Sequence, residues 1–260
     1  MSNTQELFDL TGRTALVTGG SQGLGMQIAE ALGAHGARVL LSSRKEADLA
    51  NAVEELAAQG IDASYVAADC SREQDVTRLA EAAVDTLGTV DILVNNAGVS
   101  WGAPAEDHPL EAWDKVMDLN VRSVFLLSQH IGRRSMIPAG YGRIINLASI
   151  AGLRANGLEA TKTIAYNTSK AAVINFTRAL AGEWARYGIT VNALAPGFFP
   201  SRMTKGTIEK RGVDSMTKNV PLKRLGDQDD LKGAALLFAS AAGKHITGQT
   251  LAIDGGASIV

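Results

Sequence analysis

Arg13-Thr14-Ala15-Leu16-Val17-Thr18-Gly19-Gly20-Ser21-Gln22-Gly23-Leu24-Gly25 decides how the rest of the chain is read. A short apolar run over 13–18, strand-like in composition, passes into a glycine-rich turn and then into a helical pattern over about 24–35. Glycines allow the tight turn, and the helix that follows points its free N–H groups at a bound pyrophosphate. Alone, such a turn is a plain helix entry. Its place between a first strand and a first helix, with a second strand over 38–41, makes it a dinucleotide-binding signature.

Outward from this stretch the same rhythm continues. Helical patterns over about 47–59, 74–87, 110–133 and 166–186 alternate with apolar runs over 63–67, 91–94, 143–147 and 190–193. A shorter helix near 229–241 and a last strand over 250–253 close the chain. The strands are apolar throughout rather than alternating, as strands buried on both faces should be. Strands alternating with helices predict a doubly wound parallel sheet, α/β, covered by helices on both faces. No linker, repeat or low-complexity segment divides the 260 residues, so residues 1–260 read as one domain. The segment 196–220 breaks the rhythm with Gly, Pro, Ser, Thr, Lys and Arg, and reads as a mobile lid over a ligand crevice. Its Phe198-Phe199 pair suits an apolar substrate. Its Arg202 and Lys205 suit an anionic handle on that substrate.

Composition excludes several functions. A net charge of −2 gives no electrostatic case for nucleic acid or an anionic membrane. No apolar run is long enough to span a bilayer, and the N-terminus does not resemble a signal peptide. The single cysteine, Cys70, permits no internal disulfide and fits a reducing compartment, so a cytoplasmic protein is expected. The four histidines are scattered, and no metal site is expected.

At the cofactor end, Gly19, Ser21, Gln22, Gly23, Leu24 and Gly25 are the candidate phosphate cradle. The second strand ends in Ser42-Ser43-Arg44-Lys45, without the acid that would bind a ribose 2′-hydroxyl. Arg44 offers a planar fork to a 2′-phosphate and Ser43 a further hydrogen bond, which favours NADP(H) over NAD(H). Asp69 and Cys70 end the third strand and are expected to border the adenine. Asn96, Ala97 and Gly98 end the fourth, where small residues allow close approach.

Tyr166 and Lys170 lie four residues apart in a helical stretch and so share one face. Balancing the phenol at neutral pH requires its pKa to fall ~3 units from ~10, about 4 kcal/mol. One cation at ~4 Å in an effective dielectric of ~20 supplies about that much. A Tyr-x-x-x-Lys pair by itself is more often a surface neighbour pair; Asn120 and Ser149 upstream give it a chemical context.

These motifs together resemble the short-chain dehydrogenase/reductase family along essentially the full length. The resemblance rests on Thr18-Gly19-x-x-x-Gly23-x-Gly25, Asn95-Asn96-Ala97-Gly98, Asn120, Ser149, Tyr166-x-x-x-Lys170, Pro196-Gly197 and Asp254-Gly255-Gly256. It implies a Rossmann-like fold, Tyr166 as acid/base and Ser149 steadying the substrate oxygen. It also implies Lys170 lowering the phenol pKa and holding the nicotinamide ribose, Asn120 anchoring a water, and Pro196 and Gly197 bordering the cofactor. Helices 110–133 and 166–186 would form the faces of a homotetramer.

A narrower resemblance, through 96–103 and 195–204, is to NADPH-dependent 3-oxoacyl reductases of the rhamnolipid-pathway ketoreductase type. Gluconate 5-dehydrogenases and polyol dehydrogenases are similar too. The implied reaction is hydride transfer from NADPH to a ketone, with a 3-oxoacyl thioester, carrier-bound or free, as substrate. Oxidation of a sugar acid or polyol is the alternative, and a non-catalytic cofactor-sensing protein a remote one, since it has no use for all four site residues. The connection from Ser149 to Tyr166 is longer than the common family spacing, with the extra residues near 155–162 expected to bulge at the site rim.

Overall fold

A computed structural model describes residues 3–157 and 161–260. Its centre is a seven-stranded sheet in the order β3-β2-β1-β4-β5-β6-β7, every neighbouring pair parallel. The elements run β1 (Thr14–Thr18), α1 (Gly23–Ala34), β2 (Arg38–Ser43), α2 (Glu46–Ala57), β3 (Ala63–Ala67), α3 (Glu73–Leu87) and β4 (Ile92–Asn95). After α4 (Leu110–Met117), α5 (Ser123–Ile131) and the short α6 (Ile137–Ala139) come β5 (Gly142–Leu147), α7 (Ile164–Trp184) and β6 (Ile189–Pro196). The chain closes with α8 (Lys205–Arg211), α9 (Val213–Thr217), α10 (Lys232–Ala239) and β7 (Thr250–Ile253). The doubly wound α/β architecture expected from the sequence is the one observed.

Alternation along β1 builds both layers of the core. Ala15 and Val17 face Ile28, Leu32, Leu49 and Leu56 of α1 and α2, while Leu16 faces Leu79, Leu127 and Ile131 of α3 and α5. With both faces covered, all five residues of β1 are buried, which is why its composition is apolar without alternation. The chain leaves β3 at one edge and returns as β4 on the other side of β1, so the order reverses between β1 and β4. The carboxyl ends of strands at such a reversal open into the crevice where ligands of this architecture bind.

Two local departures from the sequence reading stand out. The expected single helix over 110–133 is interrupted by wider π turns at Asp118–Arg122 and Gly132–Met136. The segment after β6 is not featureless, because it carries α8 and α9. Of the expected bulge near 155–162, Leu158, Glu159 and Ala160 lie outside the described residues.

Candidate active site

The glycine turn and the end of β4 are stitched together by Thr18. Its Oγ1 accepts hydrogen bonds from Asn96 N (3.0 Å) and Ala97 N (3.1 Å) and donates to Val94 O (3.2 Å). Asn96 Nδ2 donates in turn to the carbonyls of Thr18 (2.8 Å) and Gly19 (3.0 Å). Gly25 lies so close that a Cβ there would stand 2.4 Å from both Gly19 O and Asn96 Nδ2. Gly25→Ala should therefore push the first turn of α1 off the loop, costing about 1–3 kcal/mol of stability and weakening dinucleotide binding. Thermal unfolding and cofactor titration check this; an unchanged Tm together with unchanged affinity would refute the close-approach role.

The first turn of α1 is built for an anion. It contains no acidic residue and its N-cap, Gln22, makes no side-chain cap. By contrast α2 and α3 open with Glu46 and Asp48, and with Glu73 and Asp75. Its leading N–H groups are thus left for an outside acceptor. At the tip of β2, the Ser43 hydroxyl is buried without a partner. Arg44 is exposed, and no hydrogen bond or ion pair within the described residues engages it. An orphan donor beside a free guanidinium fits a 2′-phosphate.

Cys70 does not belong to this surface. Its side chain is buried in the cluster of Leu40, Val76, Leu79 and Leu93, and burial pushes its thiol up to about 12. The expectation that it borders the adenine is corrected for the thiol, because the turn after β3 rotates it into the core. Asp69 remains half-buried at the rim, its Oδ1 accepting from Ser71 N (3.1 Å) and Ser71 Oγ (2.7 Å). Gly197 is pressed against Asp254, where a Cβ would stand 2.8 Å from that residue's Cα. The Asp254-Gly255-Gly256 turn therefore supports the end of β6 from behind.

The chemical end lies on β5, α7 and the π turn. A 3-10 turn, Ile150–Gly152, follows Ser149, and the Ser149 hydroxyl caps it by accepting from Ala151 N (3.1 Å). Gly152 lets this turn lie on the backbone of α7, since a Cβ there would meet Lys170 C at 2.6 Å. That contact sets Ser149 beside Tyr166, close enough for its hydroxyl to act on the phenol. Lys170 is buried, its Nζ donating to Leu147 O at 2.6 Å and lying 5.5 Å from the centroid of the Tyr166 ring.

Asn120 is held in the π turn by three hydrogen bonds at 2.9 Å: Oδ1 accepts from Val99 N, and Nδ2 donates to Val99 O and Ser169 Oγ. Gly98 adjoins this group, with a Cβ there falling 3.4 Å from Asn120 Oδ1 and 3.6 Å from Lys170 Nζ. Asn120, Ser149, Tyr166 and Lys170 are thus brought together at the carboxyl end of the sheet, next to Asn96–Gly98. Of the residues that hold this arrangement, Thr18 entered the sequence reading only as part of the glycine motif, with no role of its own, and Ser169 was given none. Hydroxyls of ordinary type, they signal their role only through partners distant in sequence.

The electrostatics differ from the expectation. Burial raises the Tyr166 phenol above its ordinary value, with the Ser149 hydrogen bond opposing. Burial also brings Lys170 down to about 8. Both shifts disfavour charge, so desolvation outweighs the lowering expected from the ammonium. The phenol keeps its proton at neutral pH, as a proton donor requires.

The residues of the segment 196–220 also divide. Phe199 is buried in the core against Gly226, whereas Phe198 packs with Ile150, Val220 and Ala257 beside the site. The expected aromatic pair is therefore a single aromatic at the site, because the two neighbouring side chains point to opposite sides of the chain. Arg202 lies 3.9 Å from Asp48 and Lys205 4.0 Å from Glu209, so neither cation is free of a carboxylate. Trp101 is 44% exposed, while Trp184 covers Gly132.

Comparison with known proteins agrees with this geometry. A family profile described as enoyl-(acyl carrier protein) reductase matches residues 19–258. The chain is 42% identical over 253 residues to a rhamnolipids biosynthesis 3-oxoacyl-[acyl-carrier-protein] reductase of Pseudomonas aeruginosa, covering 96% of this chain and 97% of that protein. It is 37% identical over 256 residues to a gluconate 5-dehydrogenase of Gluconobacter oxydans, covering 98% of each. Among solved structures, the Pseudomonas aeruginosa RhlG/NADP active-site complex superposes with a TM-score of 0.90 at 41% identity, covering 97% of this chain and 99% of that one. With the fold, the glycine turn and the Ser149–Tyr166–Lys170 cluster all in place, the chain belongs to the short-chain dehydrogenase/reductase family.

Proposed function

We propose that the protein is an NADP(H)-dependent oxidoreductase that reduces a ketone, with 3-oxoacyl thioesters as the substrate class. The observation that carries this reading is the cluster of buried Ser149, Lys170 and Asn120 around a half-buried Tyr166, open beside Asn96–Gly98. NADPH, when bound, supplies the hydride. Gly19, Ser21, Gln22, Gly23, Leu24 and Gly25 would hold its pyrophosphate, Ser43 and Arg44 its 2′-phosphate, and Asp69 its adenine. Asn96, Ala97, Gly98, Pro196, Gly197 and Lys170 would border its nicotinamide half.

At the substrate, the Ser149 hydroxyl donates a hydrogen bond to the carbonyl oxygen, and Tyr166 transfers its phenolic proton there as charge develops. Lys170 returns a proton to the phenolate, with Asn120 ordering the path to solvent. The segment 196–220 would order over the bound substrate.

The same residues can run the reaction oxidatively on a sugar acid or polyol, a second reading supported by the Gluconobacter relative. Residues 99–103, which follow β4, contain no cation to hold a carboxylate, and this favours the acyl reading. Turnover with NADPH of acetoacetyl thioesters, simple ketones and 5-ketogluconate tests the choice. Reduction of 5-ketogluconate alone would overturn the acyl assignment.

Cofactor preference has its own test. Charge-assisted hydrogen bonds from Arg44 and Ser43 should make NADPH bind very roughly ten- to a hundredfold tighter than NADH. Ser43→Asp combined with Arg44→Leu should reverse the order. Equal wild-type dissociation constants at low salt would contradict the assignment. The reading also places the protein in the cytoplasm as a homotetramer. Among the described residues no helix is long and apolar enough to cross a membrane. Phe125 of α5 is 47% exposed and meets Phe176 of α7 edge-on at 6.4 Å, an apolar outer face suited to a second copy.

A further inference from the structure

The long connection between Ser149 and Tyr166 has no part in the chemistry above, yet its described residues are firmly tied. Ala103, in the loop after β4, forms a parallel bridge with Thr163, and Ala103 N donates to Lys162 O at 2.9 Å. Gly102 lets Thr161 approach, since a Cβ there would stand 3.1 Å from Thr161 Cγ2. Asn156 Nδ2 donates to Thr161 O and to Thr163 Oγ1, both at 2.9 Å. Thr163 Oγ1 donates to Asn167 Oδ1 at 2.8 Å, and Asn167 Nδ2 reaches Ala151 O at 2.8 Å. Asn167 directly follows Tyr166, and Ala151 lies two residues beyond Ser149. The knot Asn156–Thr163–Asn167 thus joins the connection to both members of the reacting pair and to the loop after β4.

Beside this arrangement lies an open side pocket of about 250 Å³, whose lining includes Ala103, Ala105, Ala155, Asn156, Ile164 and Lys162. Three alanine methyls and an isoleucine supply its hydrocarbon surface. The amides of Asn156 and Asn167 are engaged with each other, with Thr163 and with the backbone. The volume falls below the ~300–1,000 Å³ typical of a pocket for a whole small molecule, and so suits one limb of a substrate.

We propose that this pocket is a subsite for the aliphatic tail of a 3-oxoacyl substrate, and that the Asn156–Thr163–Asn167 knot sets the chain length it accepts. The inference rests on the acyl reading of the Tyr166 site. Burying alkyl chain favours binding by about fourfold per methylene, so kcat/KM should rise from four-carbon to eight-carbon 3-oxoacyl thioesters.

Ala105 is exposed, so Ala105→Phe can fill the pocket without disturbing the core. It should lower kcat/KM for the eight-carbon substrate by about ten- to a hundredfold, the equivalent of two to three methylenes, and leave the four-carbon substrate unchanged. As a measurement independent of the chemistry, saturated eight-carbon acyl thioesters, which carry no ketone, should inhibit the wild type and lose that inhibition in Ala105→Phe. Asn156→Ala, which frees the wall, should flatten the chain-length profile while sparing the four-carbon substrate. Turnover of thioesters with a profile that neither variant moves would overturn the subsite alone. Failure to reduce any thioester would overturn the acyl reading and the subsite with it.

Discussion

Tyr166→Phe is expected to lose about 10²–10⁴-fold in kcat, the usual worth of a positioned proton donor, with cofactor affinity nearly intact. The substitution removes one oxygen from a side chain held by the helix backbone, so the walls of the site should stay in place. What disappears is the phenolic proton beside Ser149. The remaining Ser149 hydroxyl can still donate a hydrogen bond to the carbonyl oxygen, but an alcohol is a far weaker acid than a phenol and does not hand over its proton. Single-turnover reduction, followed by loss of NADPH absorbance, separates the chemical step from binding. Near-normal turnover by the Phe variant would remove Tyr166 from its assigned role.

Lys170→Met should be about as damaging to turnover, and it has a second signature that a merely structural residue would not show. Burial holds the Lys170 ammonium at about 8, against an ordinary value of 10.5. Between those values the unfolded chain binds a proton that the folded chain lacks, so this residue makes stability rise with pH across about 8 to 10.5. The full contribution is present above the upper value and is lost as pH falls through the lower one. Its size is about 3 kcal/mol by the conversion of 1.36 kcal/mol per pKa unit.

The stability difference between wild type and Lys170→Met should therefore move in favour of wild type by about that amount. Leaving Leu147 O without its partner shifts the Met variant by about 1–3 kcal/mol, a displacement nearly independent of pH. Denaturant unfolding at pH 7.5 and pH 10.5 measures the difference of differences. Parallel pH profiles for the two proteins would show that Lys170 is not held in a desolvated site.

The two experiments probe different consequences of the same burial. In the first, desolvation keeps a proton on Tyr166 until substrate charge draws it away. In the second, it makes the neighbouring ammonium costly, a stability loss accepted at a functional position. Neither effect follows from the Tyr-x-x-x-Lys spacing alone, which is the same for a solvated pair on any helix.

The sequence by itself determined the elements that depend on local backbone chemistry. The turn at Gly19–Gly25, the apolar runs that became buried strands, and the four-residue spacing of Tyr166 and Lys170 were all legible, because steric freedom, burial and helical periodicity are written within a few neighbouring residues. The absence of an acid after β2 was legible for the same reason. Only the tertiary structure decided where side chains at the ends of those elements point and how much water surrounds them. Cys70 and Phe199 turned into the core, Asn120 found Val99 and Ser169, and Asn156 and Asn167 tied down the long connection. The sign of the Tyr166 shift was decided there too. Each of these outcomes depends on contacts between residues separated by tens of positions, and desolvation is set by all of a group's neighbours at once, which no short stretch of sequence records.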